Sequence, residues 1–275
     1  MNNRYFRFIQ LGVTILAFYY LFNFFVSDVN LNDLNINFSL DKLLIILLFF
    51  LSNVFHSIGW SKLFSQDENL DSRETFLFGM KSHIGKYSFV KFGNFFIRLS
   101  QDYEQIGKKR FLGKAAIEQI TLVLFGLTFG LFQITLIDNV IIKIITILII
   151  NLFLIYLFNS FVMNKKLIKI DMGTLWYYLG TTFLQFSCLL YFFYSSGLNE
   201  YVYYAAIYLF SSAISILVSV IPAGLGVKES IFIFTISGLV NKSNIFNLLI
   251  ELRILLIIAD FLSYLYSIYL IKNKN

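Results

Sequence analysis

Apolar residues run along this chain in blocks of about 20, the length a helix needs to cross a bilayer. They predict eight spans, at 5–27, 41–63, 115–137, 140–162, 174–195, 202–221, 227–241 and 246–271. Segments of about 10 residues with strict alternation, the mark of membrane strands, are absent. Two stretches break the pattern. Residues 64–114 open polar (SQDENLDSRE) and turn apolar and aromatic from 76, yet carry Lys81, Lys86, Lys91 and Arg98. A crossing there would reverse the charge bias of every later loop, so 76–100 reads as an interfacial amphipathic helix or a re-entrant segment. The second break, SVIPAGLGVKESIFIF at 219–234, sets a proline, two glycines and a Lys-Glu pair inside apolar sequence.

Composition agrees with the pattern. Hydrophobic residues make up 58% of the 275 and charged residues 14%, against about a quarter in soluble domains; the mean hydropathy is +0.73. The fold class expected is therefore an all-α polytopic membrane protein, one integral domain over 1–275. Arg4 and Arg7 precede an apolar run too long for a signal peptide and without a small-x-small cleavage site, so the first span reads as uncleaved. Cys188, the single cysteine, excludes an intrachain disulfide.

The net charge of +6 reports orientation, not a nucleic-acid partner. With a cytoplasmic N-terminus, 18 of the 22 Lys and Arg residues fall on the inner side. Lys42, Lys143 and Lys242 fall outside, and Arg253 lies within the last span. Both termini are then expected in the cytoplasm, in the inner or cytoplasmic membrane.

Polar residues inside the spans supply the candidate chemistry. Ser211, Ser215 and Ser219 recur every four residues towards Pro222; Gln119, Gly126 and Gln133 recur every seven, with Gly130 four after Gly126. Helix packing accounts for each stripe alone; together they suggest helices around a polar interior. Ionisable residues within spans are costlier. Glu118 sits near the inner end of the third span, and Asp260 near the middle of the last, where it needs partners on other helices. Arg253 is seven residues earlier, roughly 10 Å along the axis.

At the second break, Pro222 removes a backbone donor and ends a helix, while Gly224 and Gly226 open backbone angles closed to other residues. A new helix is expected near Val227, with Lys228 and Glu229 in its first turn. Free N–H groups there attract anions, and Lys228 adds charge. The alternative is a cytoplasmic turn with a glycine stop; against it, the apolar run that follows is too short to cross unless the break is buried. Tyr87, Lys91, Asn94 and Arg98 form a second polar stripe at helical spacing, which snorkelling to headgroups would also explain.

PAGLGVKE at 222–229 resembles the P-G-G-L-G-V-x-E signature of the lysylphosphatidylglycerol synthase transmembrane-region family, the flippase-like domain family. KYSFVKFGNFFIR at 86–98 resembles that family's upstream K-Y-x-P-G-K-x-W-x-x-x-x-R element. Lys86, Tyr87, Lys91 and Arg98 are in register, with Phe89-Val90 in place of Pro-Gly and Gly93 in place of tryptophan. AAIEQ, with Glu118, matches the small-residue run and glutamate that follow. The resemblance implies a membrane domain that handles anionic lipids or lipid-linked glycans in envelope biogenesis. The soluble aminoacyl-transfer domain of two-part members is not expected, nor is lysyl transfer.

A lipid or anion site is therefore expected from Lys86, Tyr87, Lys91, Arg98, Glu118, Pro222, Gly224, Gly226, Lys228 and Glu229, with Arg253 and Asp260 as charge partners and the serine stripe along the headgroup path. Membrane lipids are the partners implied, together with envelope-biosynthesis enzymes if the protein scaffolds instead of transporting. A polytopic glycosyltransferase is disfavoured, because only Asp28, Asp33 and Asp41 lie on a short external loop. His56 and His83 are isolated in sequence, with no metal-binding spacing, and neither a nucleophile elbow nor a P-loop is present. No catalytic residue, cofactor or metal is expected.

Overall fold

The computed structural model describes residues 39–65, 71–87, 108–131, 171–218, 227–236 and 242–273, with short helical pieces within 145–153. Every regular element among them is a helix. In chain order these are α1 (Leu40–Ser65), α2 (Ser72–Ser82), a 3-10 turn (His83–Tyr87), α3 (Lys108–Leu131), α4 (Met172–Ser195), α5 (Tyr201–Val218), α6 (Val227–Ile236) and α7 (Lys242–Lys272). The expected span at 5–27 lies outside the described residues.

α1 is the axle of the bundle. Leu43, Leu47, Leu51 and Phe55 recur every four residues and are exposed, while Ile45, Ile46 and Phe49 on the other side are buried. α4 runs antiparallel to it: the Cys188 thiol donates to the carbonyl of Ile45 (3.3 Å), and Ser52 donates to the carbonyl of Thr181 (3.3 Å). α7 runs parallel to α1, joined by Lys42–Glu251 at 2.5 Å near one end and by Asn53–Asp260 further along. Two apolar cores result. The larger joins the first half of α1 to α4, α5, α6 and α7; the smaller packs Trp60, Leu63 and Phe64 of α1 on Phe111 and Phe125 of α3 and Leu175 and Tyr178 of α4. Between them α1 carries a buried polar belt, Ser52, Asn53 and Ser57.

Local chemistry sets the helix ends. α4 stops in a Schellman motif: Leu198 N–H donates to Phe193 O (3.2 Å), Gly197 N–H to Tyr194 O (3.0 Å), and Gly197 takes the φ of +76° that the turn demands. α3 begins at Lys108, seven residues before the apolar block that marked the third span. The basic run is helical because Phe111 and Ala115 belong to the smaller core. Lys114, only 1% exposed, donates to the Phe64 carbonyl in the last turn of α1 (3.3 Å) and lies over the Phe64 ring.

α2 is capped by Asp71, whose carboxylate accepts from Arg73 N–H at 2.9 Å. Asp71→Ala is expected to cost about 1 kcal/mol of helix stability, read as faster amide exchange over residues 73–77. The helix does not lie apart on the outside of the bundle. It packs against α1 and α7, burying Leu77 and Met80. A Cβ on Gly79 would stand 3.0 Å from Ser57 Cβ, so α2 and the 3-10 turn reach the polar belt of α1. Residues 88–107, which include the later part of the 76–100 segment, lie outside the described residues.

Candidate functional site

The helix expected after the Pro-Gly break starts at Val227, and its first turn meets two other helices. Lys228 is 8% exposed, and its Nζ lies 4.5 Å from the centroid of the Tyr208 ring of α5. Glu229 pairs with Arg253 of α7 and has Lys228 Nζ at 3.9 Å. The pairing of Glu229 with a basic residue, left open by the sequence, thus falls to Arg253. Two cations thus meet at this carboxylate within the bundle. Arg253 Nη2 is buried and has no hydrogen-bond partner among the described residues. Guanidinium donors bind oxyanions in forked geometry, and an empty buried donor costs free energy until something accepts from it.

The place of this cluster matters as much as its charge. Tyr208 is the eighth of the 18 residues of α5, and Arg253 the twelfth of the 31 of α7. The start of α6 therefore lies beside the interior of both helices and not at their ends. Lys228, counted above with the inner-side loop charges, is buried within the bundle, which removes it from the orientation argument.

The other expected site residues are distributed differently. Asp260, 1% exposed, accepts from Asn53 Nδ2 (2.9 Å), and the same amide donates to Ser263 Oγ (3.0 Å). One partner that this carboxylate requires is thus the single asparagine of α1's polar belt. Glu118 is fully buried, and its Oε1 lies 2.5 Å from His56 Nε2, a contact without the alignment of a hydrogen bond. Lys86 and Tyr87 belong to the 3-10 turn. Lys91, Arg98, Pro222, Gly224 and Gly226 lie outside the described residues.

Ser211 and Ser215 are buried, and their hydroxyls donate to Ile207 O (2.7 Å) and Ser212 O (2.8 Å) of their own helix. The histidines are not isolated in space: the His56 and His83 rings stand 5.2 Å apart, with Ser57 Oγ 3.4 Å from His83 Nε2. Sequence reasoning missed this meeting because residues 56, 83 and 118 come from three elements with no shared spacing. No group of three or more His, Cys, Asp or Glu suited to a metal occurs among the described residues.

Among the described residues, two helices, Leu40–Ser65 and Phe111–Gly130, are long and apolar enough to cross a membrane. The chain matches no known family model and no curated protein.

Proposed function

We propose that this is a polytopic membrane protein of the flippase-like type suggested by PAGLGVKE, with about eight spans and both termini in the cytoplasm. It binds an anionic lipid or lipid-linked glycan headgroup at the start of α6 and carries it across the cytoplasmic membrane during envelope biogenesis. The observation that carries this reading is the buried Lys228–Glu229–Arg253 cluster at a helix N-terminus inside the bundle, where two cations meet one carboxylate and a guanidinium nitrogen has no hydrogen-bond partner among the described residues. Interrupted helices of this kind surround substrate sites in membrane transporters, because the freed backbone groups need protein, water or ligand partners. The outward stripe of Leu43, Leu47, Leu51 and Phe55, opposite a polar belt, suits a helix with lipid outside and polar groups inside. The contacts of α2 and the 3-10 turn with that belt favour the re-entrant reading of 76–100. Lys91 and Arg98 would then bring further charge to the headgroup.

The test is lipid retention. Purified protein in nanodiscs of mixed anionic and zwitterionic lipid is expected to retain anionic lipid by mass spectrometry, and Lys228→Ala to weaken that retention about tenfold, the value of one charge-assisted contact. Equal retention by wild type and a normally expressed Lys228→Ala protein would remove the site.

A further inference from the structure

The ammonium at the start of α6 lies over an aromatic ring whose own position is fixed by rings from α4 and α6. Lys228 Nζ is 4.5 Å from the ring centroid of Tyr208, a buried residue of α5. Phe232 follows Lys228 by four residues, so both project from one face of α6 onto the same ring. Phe232 meets that ring edge-on, with centroids 5.5 Å apart and planes at 78°. Phe193 of α4 meets it at 6.5 Å and 67°, and stacks on Phe232 at 5.8 Å and 15°. Phe193 and Phe232 are both buried. A buried ring met edge-on by two neighbours is held in place, so its face is a fixed surface.

We propose that Tyr208 is a positioning residue, whose ring holds the Lys228 ammonium in the place where it meets a headgroup oxyanion. The consequence for lipid rests on the headgroup reading above; the ring contact does not.

A lysine carries its charge on a flexible four-carbon stem, which must be ordered before the charge can act at one point. Glu229 does not supply that order. Sequence neighbours diverge by about 100° around a helix, and Glu229 Oε1 stands 3.9 Å from Lys228 Nζ, beyond hydrogen-bond distance. The carboxylate pairs instead with Arg253. The Tyr208 ring attracts the ammonium through its electron-rich face, and the attraction grows where water is excluded. A ring face also differs from a carboxylate in carrying no charge. It holds the ammonium without cancelling the attraction for an oxyanion.

The test uses full-length protein in nanodiscs of phosphatidylglycerol and phosphatidylcholine, with phosphatidylglycerol retention as the first readout. Tyr208→Phe keeps the ring face and is expected to match the wild type. Tyr208→Leu is expected to weaken retention about threefold, the value of a modest cation–π contact. That is less than the loss in Lys228→Ala, because the ammonium stays in the cluster. A phenylalanine at 208 fluorinated at one, two and three ring positions keeps the shape while draining the face, so retention should fall step by step. On a Lys228→Ala background, Tyr208→Leu should cost nothing further, because the ring acts through the ammonium. The second readout does not depend on lipid. In protein labelled at lysine Cε, the Lys228 signal, identified by its loss in Lys228→Arg, is expected upfield of the other lysines through the ring current, and Tyr208→Leu should return it. Retention indifferent to fluorination, additive losses in the double variant, or an unshifted Lys228 signal in the wild type would each overturn the proposal. A shifted signal in a wild type that retains no phosphatidylglycerol would overturn the headgroup reading and leave the ring contact standing.

Discussion

Glu229→Gln is expected to lower the stability of the protein by about 3 kcal/mol, the scale for removing one partner of a largely buried ion pair. The carboxylate pairs with Arg253 and has Lys228 Nζ at 3.9 Å, with side-chain exposures of 10–15% for all three. Its loss removes the carboxylate at which the two cations meet. Arg253→Gln should cost clearly less, because Lys228 stays beside Glu229. The asymmetry is the informative part, and equilibrium unfolding of the purified protein in mixed micelles reads it directly. Equal losses in the two variants would mean that Lys228 takes no part in the balance. Added anion supplies a further check. If an anionic headgroup occupies the cluster, saturating anionic lipid should restore Glu229→Gln by up to about 2.7 kcal/mol at a hundredfold excess over its dissociation constant. Zwitterionic lipid at the same concentration should restore nothing.

Much of this arrangement was legible residue by residue, and its limits are physical. α6 begins at Val227 because Pro222 and the glycines punctuate locally, and local punctuation is written in sequence. The bounds of α1, α4 and α5 follow from apolar blocks and, at Gly197, from one turn residue. α3 runs further back than its apolar block, through a stretch of lysines and an arginine that has no apolar pattern. Lys114 is instead buried by a carbonyl and a ring that belong to α1, and no local pattern announces those. The need of Asp260 for partners was clear from its cost in an apolar helix, whereas the choice of Asn53 was not, since a lone asparagine among 26 residues of α1 carries no period. The same holds for Glu118: a carboxylate at one end of a span signals importance, but its histidine lies 62 residues away on another helix. Spacing records which residues share a face of one helix. It does not record which faces meet.

Where faces do meet, small residues decide how closely, and Gly130→Ala is expected to show it with a net loss of about 2 kcal/mol. α3 and α5 cross at Gly126 and Gly130. A Cβ on Gly130 would collide with the Phe210 side chain, with Cγ and Cδ2 at 2.7 Å and the Phe210 Cβ closer still. Rotation of the ring relieves the first contacts but cannot move a Cβ fixed to its backbone, so the helices must part. Overpacking of this kind costs about 1–3 kcal/mol, and close approach is what holds helices together once lipid replaces water. Gly126 is the control. Its added Cβ would meet Ala213 Cβ at 3.0 Å and Leu209 O at 3.5 Å, a tight but adjustable fit. The gain in helix propensity from Gly to Ala, up to about 1 kcal/mol, should leave Gly126→Ala near neutral. On a Phe210→Ala background the penalty of Gly130→Ala should shrink without vanishing, because the ring carbons are gone and the offending Cβ remains. Unfolding measurements on the wild type and the four variants decide the matter: complete rescue by Phe210→Ala would mean that the ring and not the backbone separation sets the limit at this crossing, and equal penalties at positions 126 and 130 would mean that the contact with Phe210 does not set it.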